Sequence, residues 1–107
     1  MTTFDDRKDA FEKKFAHDEE LRFKATARRN KLLGLWAAGQ LGKSGSEAEA
    51  YAKSVVMADF QEAGDDDVMR KIRADLDAGG LSQGEPAVRQ VMNELMEQAI
   101  ADVQAGR

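Results

Sequence analysis

Along most of this chain apolar residues recur every three or four positions, the spacing that gathers side chains on one face of an α-helix. Ala48, Tyr51, Ala52, Val55, Val56 and Phe60 form one such stripe. Ser46-Glu47-Ala48-Glu49 stands at its head and has the form of a capping box, with the Ser46 hydroxyl accepting from the third helical amide and the Glu49 carboxylate reaching back to the Ser46 amide. With Gly64 as the stop, a helix is predicted over about 47–63. Val68, Met69, Ile72 and Leu76 follow Asp65-Asp66-Asp67, one of which can cap while the others suit the positive end of the helix dipole; Gly79-Gly80 closes a helix over about 66–78. The only proline, Pro86, fits a first turn, where its missing amide hydrogen has no intrahelical partner. Val88, Val91, Met92, Leu95, Met96, Ala99, Ile100 and Val103 then predict a helix over about 86–105, with Met92 and Met96 assigned to the core.

The first forty residues carry two patterns. On one continuous helix Phe4, Phe11 and Phe15 would lie within about 40° of each other, a narrow aromatic seam. Leu21, Ala25, Leu32, Leu35 and Trp36 form a second stripe starting about 100° away. The change of face falls at His17-Asp18-Glu19-Glu20, where Asp18 can cap and Glu19 and Glu20 suit a first turn. A helix over about 18–41 is therefore predicted, and residues 1–17 become a separate arm. Its helical part, about eleven residues, is shorter than the roughly 12 to 15 at which isolated helices become marginal in water. Burying three phenylalanines contributes less than ordering eleven backbones costs, so the arm needs a further surface, its own core or a partner. Residues 1–17 are expected to be largely disordered in the free protein and helical when docked in a groove. The fold class that follows is all-α: a small four-helix body, residues 18–107, with a flexible N-terminal amphipathic arm.

Composition narrows the chemistry. The 107 residues suit one domain, and the count of zero cysteines removes disulfides, thiolate metal sites and thiol nucleophiles. One histidine excludes a multi-histidine metal site. The N-terminus lacks the basic-then-apolar order of a signal peptide and no apolar run is long enough to span a bilayer, so a soluble, cytoplasmic protein is expected. The net charge of -4 is unevenly placed: residues 1–31 hold nine Lys and Arg against seven Asp and Glu, and the rest of the chain is acidic.

Motifs that suggest catalysis or ligand binding fail on inspection. Gly42-Lys43-Ser44 matches the end of a P-loop, but Ala37 stands where the leading glycine belongs and the preceding residues read as helix, so Gly42–Gly45 is read as an inter-helix turn. Lys43 stays a candidate for a nucleotide contact. An EF-hand loop starting at Asp65 would need an oxygen ligand at Met69 and glycine at Arg70, which leaves helix capping as the account of the three aspartates. His17 is read as a solvated linker histidine; its place beside Asp18, Glu19 and Glu20 also makes it a candidate pH sensor. Arg22, Lys24, Arg28, Arg29 and Lys31 raise nucleic-acid binding, against which stand the acidic body and the lack of a recognition signature. A solvated face or an acidic protein partner is the expectation for that segment. No metal, cofactor or catalytic residue is expected.

One longer block of residues resembles a known family. Phe4-Asp5-Asp6-Arg7, Phe11-Glu12, Lys14-Phe15-Ala16, His17-Asp18-Glu19-Glu20-Leu21, Phe23-Lys24, Ala27-Arg28-Arg29-Asn30-Lys31-Leu32-Leu33-Gly34 and Trp36-Ala37-Ala38 are similar to the zeta inhibitor subunit of the F-type ATP synthase of alpha-proteobacteria. Ala50-Tyr51-Ala52, Val55-Val56, Asp59-Phe60, Asp66-Asp67-Val68 and Lys71-Ile72 extend the resemblance, which covers residues 4–76; no functional residue is carried over from Ala78 onward. The resemblance implies an all-helical, non-enzymatic inhibitor of ATP hydrolysis. Family members are thought to insert an N-terminal segment into a catalytic interface of the ATPase head near the rotating stalk, much as the mitochondrial inhibitor protein does. On this chain Phe4, Phe11 and Phe15 would supply the apolar face, and Arg7, Lys8, Lys13 and Lys14 would meet acidic surfaces of the alpha, beta and gamma subunits. Such a protein would sit in the cytoplasm, peripherally associated with the inner-membrane ATP synthase, with no direct membrane insertion. Two other readings remain: a nucleotide-sensing domain in which Lys43 or the Arg28-Arg29 pair touches phosphate, and a helical nucleic-acid or assembly adaptor.

Overall fold

A computed structural model describes residues 19–58 and 65–106. The arm residues Phe4, Arg7, Lys8, Phe11, Lys13, Lys14 and Phe15, together with His17, the Asp18 cap, Phe60 and Gly64, lie outside the described residues. Four helices occur in chain order: α1 (Glu19–Gln40), α2 (Gly45–Ala58), α3 (Asp66–Ala78) and α4 (Glu85–Gln104). Their bounds lie within one residue of the hydrophobic periodicity for α1, α3 and α4; α2 is described to Ala58, so its predicted end near 63 lies outside the described residues, and its start differs. That helix begins at Gly45 rather than 47, so Ser46 lies inside the first turn and not at the cap position the capping box requires.

Glycine ends α1 and α3 in the same way. Gly42 adopts φ +77°, the Lys43 amide donates to the Ala38 carbonyl at 2.8 Å, and the Gly42 amide donates to Gly39 at 3.2 Å. After α3, Gly80 (φ +76°) sits between matching bonds from Leu81 to Leu76 and from Gly80 to Asp77. Both are Schellman motifs, in which a left-handed residue lets the chain reverse and satisfy the last carbonyls. At the other end of the body Pro86 sits in the first turn of α4, as predicted.

α1 is the central element and packs most extensively against α2 and α4, while α3 closes the body against the other three. The core is Leu33 and Ala37 of α1, Val55 of α2, Val68, Met69, Ile72 and Leu76 of α3, and Val88 and Met92 of α4, with Trp36, Leu41, Tyr51, Val91 and Leu95 packed around it. The α3 stripe is buried as expected. Met92 is buried, whereas Met96 is only half-buried.

The α1 stripe needs correction. Of Leu21, Ala25, Leu32, Leu35 and Trp36, only Ala25 is fully buried; the interior face consists of Ala25, Arg29, Asn30, Leu33, Gly34, Ala37 and Ala38. A helix wedged between two others needs small residues where backbones cross, and a search for large apolar side chains misses them. At Gly34 an added Cβ would sit 2.6 Å from the Ala52 Cα, so the α1–α2 crossing is closer than any side chain on Gly34 would allow.

Candidate functional site

The cationic run on α1 is where sequence reasoning places both candidate phosphate contacts and a partner surface. Packing divides it. Arg29 lies four residues after Ala25 and four before Leu33, on the inward line of α1, and is 3% exposed. Its guanidinium donates to both Asp65 carboxylate oxygens, at 2.7 and 3.1 Å, and to Asn30 Oδ1 at 2.8 and 3.0 Å. These hydrogen bonds from Arg29 hold the Asp65 carboxyl below the usual carboxylate range, against the opposing effect of its partial burial. Arg28 donates to the buried carboxylate of Asp102 at 3.1 Å, and Gln98 of α4 donates to the other Asp102 oxygen at 2.8 Å.

Arg28 and Arg29 thus fasten α1 to α4 and to the start of α3. The Arg29 guanidinium is buried with its donors facing Asp65 and Asn30, an arrangement that serves an internal ion pair and not an open phosphate contact. Arg28 is partly exposed but already paired. Lys43 lies past the end of α1, about 16 Å of helix beyond Arg29, so the three residues form no single phosphate site.

Asp65 likewise departs from its expected role. It occupies the N-cap position of α3 but its side chain makes no cap hydrogen bond, because its carboxylate is taken by Arg29. Asp67 pairs with Arg70 one turn on, and Asp66 is exposed. Among the described residues no group of three or more His, Cys, Asp or Glu side chains is placed to hold a metal ion. A further polar cluster joins α2 to α3: the Tyr51 hydroxyl donates to Asp75 at 2.7 Å, Lys71 donates to the same carboxylate oxygen at 3.1 Å, and the Lys71 ammonium stands 5.2 Å from the Tyr51 ring centre. Burial, reinforced by Asp75, pushes the Tyr51 phenol above its ordinary range, as fits a structural tether and not a proton donor.

What α1 leaves at the surface is a trough. Leu21, Phe23, Lys24, Ala27, Arg28 and Lys31 line one part of it with Val56 of α2 and Val103 at the end of α4, enclosing about 630 Å³. A second part, about 410 Å³, shares Lys31 and Val56 and continues to Ala52, Lys53 and Glu49 on α2. Lys31 and Lys53 are exposed at its edge. Sequence periodicity had no means of separating Val56 and Val103 from core positions, because a residue facing a groove and one facing a core recur at the same interval. No helix among the described residues is long and apolar enough to cross a membrane.

Comparison with known proteins is consistent with this fold. A family model described as ATPase inhibitor subunit zeta matches residues 1–102. A protein solved by solution NMR is similar at 53% identity with a TM-score of 0.71, over 81% of this chain and 99% of its own. No curated protein matches.

Proposed function

Since the chain belongs to the ATPase inhibitor subunit zeta family, and so is a regulatory inhibitor of ATP synthase, we propose that its working part is the arm of residues 1–17. The arm inserts as a helix into a catalytic interface of the ATPase head, formed by alpha, beta and gamma subunits. Phe4, Phe11 and Phe15 bury against that interface while Arg7, Lys8, Lys13 and Lys14 meet its acidic surfaces. A helix wedged there opposes the closure each catalytic subunit must undergo, so hydrolysis and rotation stop without any reactive group on the inhibitor. The body, peripherally attached at the membrane-bound enzyme, positions the arm, and His17 at the junction gives the attachment a pH response.

The observation that carries this reading is the extent of the family match, which runs from residue 1 and takes in the whole arm. It is supported by the body itself, where Arg28 and Arg29 are spent on internal carboxylates. The test is ATP hydrolysis by the purified cognate ATPase with full-length Phe11→Ala/Phe15→Ala. Loss of two buried aromatic anchors is expected to raise the half-inhibitory concentration about tenfold or more, with unchanged helix content by circular dichroism. Inhibition equal to that of the unsubstituted chain would refute the reading.

A further inference from the structure

The trough on α1 ends where the arm begins. Leu21 lines it within a turn of the first described residue, Glu19, and Ala16 to Asp18 are enough for the short turn that joins antiparallel helices. From Leu21 to Lys31 the trough follows α1 for about 15 Å and then continues toward Glu49. Phe4 to Phe15 spans about 17 Å as a helix. A segment doubling back from Asp18 therefore has the length to lie in the trough, with Phe15 beside Leu21 and Val103 and Phe4 toward the Glu49 end.

Charge agrees with that direction. On a helical arm the phenylalanine seam is flanked on one side by Lys8 and then Glu12 and Asp5, and on the other by Arg7 and Lys14. The trough offers Lys31 and Lys53 at its edge, neither of which forms an ion pair among the described residues, and a carboxylate, Glu49, at its far end.

We propose that this trough is the resting seat of the chain's own arm, so that the inhibitory segment alternates between the body and its target. The seat is shallow and the arm short, so docking is reversible; the tether supplies the millimolar effective concentration that makes so weak a contact populated. Its consequence for inhibition rests on the arm being the inhibitory segment, since only undocked molecules present Phe4, Phe11 and Phe15. If the seat is filled half the time, the apparent affinity for the ATPase is halved.

The test is methyl-resolved NMR on the full chain. Expected are contacts between the Phe11 and Phe15 rings and the methyl groups of Val56 and Val103, independent of protein concentration. The surface variant Lys31→Glu/Lys53→Glu should weaken them, and Phe11→Ala/Phe15→Ala should shift Val56 and Val103 while leaving Ile72 and Leu76 in place. The charge-reversed chain should also inhibit at about half the concentration. Identical Val56 and Val103 signals in the unsubstituted and Phe11→Ala/Phe15→Ala chains would overturn the proposal. So would contacts that strengthen with concentration, which assign the seat to a second copy's arm. The two readings fail separately: an empty trough leaves the inhibitory arm standing if Phe11→Ala/Phe15→Ala still loses inhibition, and a filled trough with undiminished inhibition removes the arm's function but not its seat.

Discussion

Arg29 holds the middle of α1 to the first residue before α3, and its two ends of chain respond differently to loss. The guanidinium is 4% exposed at its side chain, whereas Asp65 is 38% exposed. Asp65→Asn removes the countercharge of a buried cation, leaving only neutral amide oxygens to accept from it, and is expected to cost about 2 kcal/mol, less than a fully buried pair because water reaches the Asp65 side. Arg29→Met removes the charge and leaves a carboxylate that water can solvate, but it also deprives the buried Asn30 Oδ1 of both its donors, so it should cost at least as much as Asp65→Asn. Urea unfolding at pH 7 ranks the two. The pH dependence has a definite sign: the folded carboxyl titrates below its unfolded value, so its stabilisation is complete above the unfolded value, near 4, and is lost as pH falls through the folded one. The gap between the unsubstituted chain and Asp65→Asn should therefore narrow below about pH 4.

Helix packing turns on Gly34, where the clash of an added Cβ is with Ala52 backbone, 2.6 Å away, and so cannot be relieved by a side-chain rotation. Gly34→Ala gains up to about 1 kcal/mol of helix propensity, yet forcing α1 and α2 apart costs about 1–3 kcal/mol, and net destabilisation is expected. Ala52→Gly should not rescue it, since the Cα remains. Gly39, in the same helix with open space around its Cβ position, is the control: Gly39→Ala should raise stability by about 0.5 kcal/mol, read from thermal melts of both variants. The same contrast shows what the sequence made legible. Period and punctuation located α1, α3 and α4, because Gly42, Gly80 and Pro86 act locally through φ and a missing donor. The inward face of α1 was hidden, because Gly34, Arg29 and Asn30 are interior only by virtue of what α2, α3 and α4 bring to them. Asp65 looked like a cap for the same reason: its real partner is 36 residues away in the chain.

At the scale of the molecule, the core runs from Leu33 to Met92, and α1 contributes no fully buried side chain among the described residues before Ala25. The elements that make the body stable are thus separate in sequence from the segment proposed to inhibit, and the trough that would receive that segment is a surface feature lined by the partly buried Leu21, Val56 and Val103. Removing residues 1–17 should accordingly act on function and hardly on folding. A chain beginning at Asp18 is expected to melt within about 4 °C of the full chain, since a loss of about 0.5 kcal/mol shifts a body of this size by no more. Its inhibition of ATP hydrolysis should vanish. A fall of about 10 °C or more would mean that the arm is part of the core, and its loss of inhibition would then report unfolding. A stable body that inhibits as well as the full chain would move the inhibitory surface onto α1–α4 themselves.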